Sequence, residues 1–291
     1  MGPVEVAFHF QHPELLIEPE HLVGRLGSPD LVIVDTRPAE EYAQGHLSGA
    51  VHWDLYGVSL HDTTEAPLRA FQWLICRLLE LRGVRPEQAV VFYDQDTGQR
   101  AARGYWLLTH LGHQRVQVLH GGYGEWVRQG APVTTAATVP QPSTYPLVVD
   151  WDCLATAQDI LERLNRPDVV ILDTRRRTEY CGTERRAARG GCIPGAVHIE
   201  FVQNLTSDGR LKAPADLAEM YRVQGVTPDK EVICYCHGGY RSAQTYLVLK
   251  MLGYPKVRNY LGSWAEWGDR LDLPLEVPGP ATLPRGSEVR G

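Results

Sequence analysis

Leu31-Val-Ile-Val-Asp35-Thr-Arg37-Pro-Ala-Glu-Glu41-Tyr42 returns later in the chain as Val169-Val-Ile-Leu-Asp173-Thr-Arg175-Arg-Arg-Thr-Glu179-Tyr180. In both copies a short apolar, β-branched run ends at Asp-Thr-Arg, and a Glu-Tyr pair follows. Such a run reads as a buried strand. An aspartate at its carboxyl end stands where open α/β sheets place ligands. The neighbouring sequence repeats in the same order. Gly45-His-Leu-Ser-Gly49-Ala-Val-His52 returns as Gly191-Cys-Ile-Pro-Gly195-Ala-Val-His198. Val90-Val-Phe-Tyr93 with Arg100-Ala-Ala returns as Val232-Ile-Cys-Tyr235 with Arg241-Ser-Ala. Leu111-Gly-His113 matches Leu252-Gly-Tyr254, and Gly121-Gly-Tyr-Gly-Glu125-Trp126 matches Gly262-Ser-Trp-Ala-Glu266-Trp267. The separation widens between Tyr180 and Gly191 and narrows afterwards, so the second copy carries an insertion there. Two copies of one unit lie in tandem.

Each copy alternates strands with helices. Leu31–Val34, Ala89–Tyr93 and Val116–Leu119 read as strands, with helices over Leu68–Leu81 and Gln99–Leu111. Val169–Leu172, Glu231–Tyr235 and Val257–Tyr260 repeat the strand pattern. This alternation predicts an α/β fold, each copy a parallel sheet with helices on both faces. Pro, Thr, Ala and Ser accumulate over Thr134–Pro146, which marks a linker. The expected division is 1–135 for the first domain, 136–146 for the linker and 147–280 for the second domain. Residues 281–291, rich in Pro and Gly, read as a loose tail.

Composition narrows the function. The chain has 291 residues and a formal charge of −6, with no long basic run, which argues against nucleic acid as a partner. Nothing near the start reads as a secretory signal, and no apolar stretch reaches membrane-spanning length. Six cysteines in a chain this long do not make a disulfide scaffold. The expectation is a soluble cytoplasmic protein with reduced thiols and no membrane association.

The chemistry concentrates in Cys236-His-Gly-Gly-Tyr-Arg241-Ser242, between the strand at Val232–Tyr235 and a helix that Gly253 stops. From Ser242 onward, Ala243, Tyr246, Leu247, Leu249 and Leu252 are expected on one apolar helix face. Inward N–H groups of a curled loop and the positive end of a helix make an anion nest. Arg241 adds a full charge. Each effect favours thiolate over thiol, so Cys236 is expected to be nucleophilic near neutral pH. Gly238 and Gly239 permit backbone that a Cβ would forbid and leave room for a substrate atom.

Together these motifs resemble the tandem rhodanese, or sulfurtransferase, family from about Pro19 to Pro274. The resemblance implies two tandem rhodanese-like domains, the first inactive and the second catalytic. Asp94 stands at or next to the cysteine position of the first copy, and a carboxylate there cannot carry sulfur. In the second copy the resemblance implies two-step transfer through a Cys236 persulfide. The resemblance implies thiosulfate as the donor, cyanide or a thiol as the acceptor, and no metal or organic cofactor. The loop residues His237, Gly238, Gly239, Tyr240, Arg241 and Ser242 are the implied substrate-binding set, with Arg241 on the donor's sulfonate. Glu179 and Gly238 stand where vertebrate members carry basic residues. Anion binding therefore falls on Arg241, His237 and Arg189, the last within the inserted Glu184-Arg-Arg-Ala-Ala-Arg-Gly190. Asp173 and Arg175 read as a structural brace.

Several alternatives stand beside this reading. 3-Mercaptopyruvate is the rival donor. A Cys-based phosphatase also closes a Cys–Arg anion loop, but with one residue more. A non-catalytic binding module would not need both Cys236 and Arg241. Cys234 reads as strand core rather than half of a Cys-x-Cys metal pair, because no second ligand pair stands at suitable spacing. Cys192 replaces the histidine found at His46 of the first copy.

Overall fold

Residues 9–279, described by a computed structural model, form two five-stranded parallel sheets built alike. In the first copy the strands are β1 (Leu16–Ile17), β2 (Leu31–Asp35), β3 (His46–Leu47), β4 (Val51–His52), β5 (Ala89–Tyr93), β6 (Val116–Leu119) and β7 (Val133–Thr134). Its helices are α1 (Pro19–Val23), α2 (Ala39–Gln44), α3 (Glu65–Leu81), α4 (Gln99–His110) and α5 (Gly122–Arg128). The second copy has β8 (Leu154–Ala155), β9 (Val169–Asp173), β10 (Val197–His198), β11 (Glu231–Tyr235) and β12 (Val257–Tyr260). Its helices are α6 (Ala157–Leu161), α7 (Arg177–Tyr180), α8 (Pro214–Arg222), α9 (Arg241–Met251) and α10 (Ser263–Trp267). The sheet orders β1-β6-β5-β2-β4 and β8-β12-β11-β9-β10 are the same topology. Among the described residues no helix is long and apolar enough to cross a membrane. The tail expected at 281–291 lies outside the described residues.

The strands are apolar on both faces because both faces are covered. Val90 and Phe92 of β5, with Val232 and Cys234 of β11, enter one core shared by the two copies. Val91 and Tyr93 face a second core, and Ile233 and Tyr235 a third. The helices α4 and α9 pack on each other inside the shared core. Gly104 makes the close approach of α4 to its sheet possible, since a Cβ there would overlap the Phe92 ring. A mid-helix glycine costs about 1 kcal/mol relative to alanine, less than the ~1.5–3 kcal/mol that burying each large apolar side chain contributes.

The residues expected on one apolar face of α9, Ala243, Tyr246, Leu247, Leu249 and Leu252, all enter the shared core, but the helix buries its other faces as well. Arg241 through Leu249 are all buried, polar residues included. The helix lies between its own sheet and α4, so it has no solvent face there. The stretch after β7 is tied along α3: Ser143 donates from its N–H to Glu80 O and from its hydroxyl to Val84 O, and Tyr145 stacks on His113.

Candidate active site

The repeated Asp-Thr-Arg braces the ends of the central strands. Arg175 Nη2 donates to Asp173 Oδ2 at 2.6 Å and to Gly191 O at 2.7 Å. Tyr235, the last residue of β11, donates from its hydroxyl to Asp173 Oδ2 at 2.5 Å. Arg37, Asp35, Gly45 and Tyr93 repeat this arrangement in the first copy. All four charged groups are buried and internally paired. Their work is to hold the strand end from which the next loop springs.

In the second copy that loop begins at Cys236. Its N–H donates to Ser263 Oγ at 3.1 Å, and its carbonyl accepts from Trp264 N–H at 3.0 Å. The His237 carbonyl accepts from Ala265 N–H at 2.8 Å. The first residues of α10 therefore anchor the base of the loop. Gly239, at φ +81°, aims its N–H at Cys236 Sγ, 3.1 Å away. The left-handed backbone needed there is cheap only for glycine.

Cys236 is buried, and burial alone would raise its thiol pKa. The Arg241 charge and the hydrogen-bonding groups of Ser242 and Gly238 outweigh burial and bring it below the ordinary value. The other buried thiols move the opposite way. Burial pushes Cys76 up to about 11 and Cys192 up to about 12, and raises Cys153 and Cys234 as well. Cys234 faces the shared core. Among the described residues no cluster of His, Cys, Asp and Glu is arranged to hold a metal ion.

Arg241 is committed to a carboxylate. Its Nη1 and Nη2 donate to Glu179 Oε2 and Oε1 at 2.5 and 2.9 Å. Burial would raise the Glu179 pKa, but the Arg241 hydrogen bonds and charge hold it at about 2. Burial lowers His237 to about 4, so its imidazole is neutral at pH 7. The two residues expected to carry anion binding therefore differ: Arg241 is charged but paired with Glu179, and His237 is neutral.

A cleft of about 220 Å³ opens over the sulfur, walled by Cys236, His237, Gly238, Tyr240 and Arg241 from the loop. Gly239 and Ser242 are not on its wall; Gly239 supports the sulfur and Ser242 is buried at the start of α9. Arg189 is not on the wall either, correcting the expectation that it reaches the cleft. Its guanidinium donates to the carbonyls of Gly268, Trp267, Leu273 and Arg270, which pins the insertion to the end of α10. Arg186 of the same insertion lines the cleft instead, 3.7 Å from Glu179 Oε1 and 47% exposed.

The first copy supplies the opposite wall with Tyr56, Ser59, His61 and Gln99. Tyr240 donates from its hydroxyl to Leu55 O, with Val58 O at 3.0 Å and Ser59 Oγ at 3.3 Å. The Tyr56 and Tyr240 rings stand 5.2 Å apart. Sequence reasoning missed these residues. The available signal was the long irregular stretch between β4 and α3, since long loops in compact domains are commonly functional. A larger cleft of about 470 Å³ beside Tyr105, His113 and Asp150 contains no thiol.

The first copy's own loop is chemically different. Asp94 follows β5 as Cys236 follows β11. Its Oδ1 accepts from Gln95 N–H at 2.8 Å and its Oδ2 from Arg100 N–H at 3.1 Å. Burial raises its pKa to about 6. A carboxylate of the chain itself thus stands after the strand where the second copy has its cysteine.

The sequence profile of the Rhodanese-like domain matches residues 18–129 and 156–270. The chain is 37% identical to a thiosulfate sulfurtransferase of Pseudomonas aeruginosa, covering 92% of this chain and 99% of the relative. It is also 37% identical to a thiosulfate sulfurtransferase of Azotobacter vinelandii, covering 90% and 97%. A sulfur carrier protein of Thermus thermophilus is 30% identical, covering 91% and 98%. Among solved structures, an anaerobic ergothioneine biosynthesis enzyme from Chlorobium limicola superposes with a TM-score of 0.80 at 21% identity, over 93% of this chain and 72% of the other, a likeness of fold. With the profile matched twice over and relatives aligned nearly end to end, the chain belongs to the rhodanese-like family, with two copies of the domain in tandem.

Proposed function

We propose that this protein is a thiosulfate sulfurtransferase that carries sulfur as a persulfide on Cys236. The observation that carries the reading is the contrast among thiols. Cys236 alone combines a cleft, a pKa moved below its ordinary value and an N–H aimed at its sulfur. The names of the two 37% identical relatives supply the donor.

In this reading the Cys236 thiolate attacks the outer sulfur of thiosulfate. The S–S bond of the donor breaks, and its electron pair leaves with sulfite. The new persulfide carries the negative charge that the thiolate gave up, so charge balances. Cyanide then attacks the outer sulfur, leaves as thiocyanate and restores the thiolate; a thiol acceptor serves in the same role. The two half-reactions share one site and predict ping-pong kinetics. The Gly239 N–H and Arg241 stabilise the anionic sulfur in both states. Arg186, at the cleft mouth, meets the sulfonate. The compartment in this reading is the reducing cytoplasm, which keeps such a thiol available.

Steady-state comparison of thiosulfate and 3-mercaptopyruvate, with cyanide as acceptor, tests the donor. The expected result is a higher kcat/KM for thiosulfate, with a mass gain of one sulfur on Cys236 when acceptor is withheld. A preference for 3-mercaptopyruvate overturns the donor assignment. Failure of Cys236 to gain sulfur overturns the mechanism.

A further inference from the structure

Arg103 on α4 is fully buried and has no carboxylate partner among the described residues. Its Nε and Nη2 make no hydrogen bond. Its Nη1 crosses to the second domain and donates to Gly239 O at 3.2 Å. The Tyr240 and Trp106 ring centres lie 4.9 and 5.1 Å from its Cζ. Taking a guanidinium out of water with so little compensation is expensive, several kcal/mol even after relaxation. Packing alone would be served better by an apolar side chain.

The repeat indicates what the charge is for. Arg100 corresponds to Arg241, so Arg103 corresponds to Gln244. Gln244 Nε2 reaches the other way, to Thr97 O at 3.4 Å, in the loop that begins at Asp94. Each central helix therefore touches the loop of the other copy. The neutral side chain meets the loop that carries a carboxylate. The charged one meets the loop that carries the cysteine. Gly239 is held there by its carbonyl, which also accepts from Asn259 Nδ2 at 3.1 Å, while its N–H points at the Cys236 sulfur.

We propose that Arg103 is a positioning residue for sulfur transfer supplied by the first domain: it fixes Gly239 beneath the sulfur and brings a second positive charge to the thiolate and the persulfide. This rests on Cys236 being the nucleophile. The other groups around Cys236 are Arg241, Glu179, His237, Tyr240, Arg186 and His61. Arg241 and Arg186 share the carboxylate of Glu179, whereas Arg103 shares none.

The test is the rate of Cys236 alkylation by iodoacetamide as a function of pH, read by mass spectrometry on the Cys236 peptide, in wild type, Arg103→Gln and Arg103→Lys. Arg103→Gln installs the side chain that the other copy uses. It is expected to move the alkylation midpoint upward by about one pH unit and to slow alkylation at pH 7 by up to about tenfold. It is also expected to lower kcat for thiosulfate without raising KM. Arg103→Lys keeps the charge and is expected to hold the wild-type midpoint. An unchanged midpoint in folded Arg103→Gln overturns the proposal. Should that variant not fold, an upward-shifted midpoint in Arg103→Lys overturns it. If wild-type Cys236 does not alkylate at all, the failure belongs to the nucleophile reading instead.

Discussion

Glu179 holds both Nη groups of Arg241 directly beside the Cys236 loop, at 2.5 and 2.9 Å, across 62 residues of sequence. The carboxylate competes with the thiolate for its main counter-charge. Glu179→Gln removes that competitor. The expected result is a Cys236 alkylation midpoint shifted to lower pH, with a lower unfolding midpoint in urea, because a buried pair loses one member. An upward shift would show that Glu179 orients Arg241 more than it offsets its charge.

Acid should loosen the protein through the same carboxylate. Glu179 has a folded pKa of about 2, against an ordinary 4.5. Glu18, bound to His120 and Arg210, is also held at about 2 against the pull of burial. A depressed carboxylate stabilises the fold above its unfolded pKa and loses that contribution as pH falls through the folded value. Stability should therefore decline between about pH 4.5 and pH 2. Urea melts across this window check it, and Glu179→Gln should flatten the decline.

Two arginines three residues apart, Arg186 and Arg189, should separate cleanly. Arg186 is 47% exposed and lines the cleft, so Arg186→Ala should raise KM for thiosulfate about three- to tenfold with little change in stability. Arg189 is bound to four carbonyls outside the cleft. Arg189→Ala should leave KM unchanged and cost about 1.5–3 kcal/mol in urea melts. The reverse pattern would return Arg189 to the site.

Much of this was legible because it is local and repeated. Asp173, Arg175 and Tyr235 repeat Asp35, Arg37 and Tyr93 with the same hydrogen bonds, and the tandem α/β fold follows from that pattern. The loop after β11 was legible because strand, cysteine, glycines and helix are contiguous. The Glu179–Arg241 pair and the wall of Tyr56, Ser59, His61 and Gln99 were not. They depend on how two elements distant in sequence come to face each other. Arg189 and Arg186 stand in one irregular stretch yet face different partners, which composition cannot resolve. Cys192 and His46 became intelligible only in three dimensions. Both are buried, but His46 bonds the Tyr42 and Ala136 carbonyls, while Cys192 pairs by its backbone with Glu276.

Asp94 offers a test of the first domain. Its pKa is raised to about 6 from 3.8, so the folded state binds its proton more tightly than the unfolded state. Such a group costs stability as pH rises above its unfolded value. Asp94→Asn should therefore stabilise the protein at pH 8 by roughly 1–3 kcal/mol and hardly at all near pH 4. Turnover should be nearly unchanged. A large loss of turnover with the fold intact would mean that this loop takes part in the reaction.

The last prediction concerns what Arg241 does. The sequence pattern suggests a contact with the donor's sulfonate, which would make Arg241→Ala harm thiosulfate far more than 3-mercaptopyruvate. The geometry points elsewhere. Arg241 is 8% exposed, its Nη groups are engaged by Glu179, and its charge is the leading influence that lowers the Cys236 pKa against burial. A residue that acts on the thiolate affects every donor alike. Arg241→Ala should therefore cut kcat/KM about ten- to hundredfold with both donors, mainly through kcat, and raise the alkylation midpoint of Cys236. It also strands Glu179 in a buried site, so the double variant Arg241→Ala with Glu179→Gln is the better-folded comparison and should show the same loss. A loss confined to thiosulfate, appearing in KM, would restore the sulfonate contact.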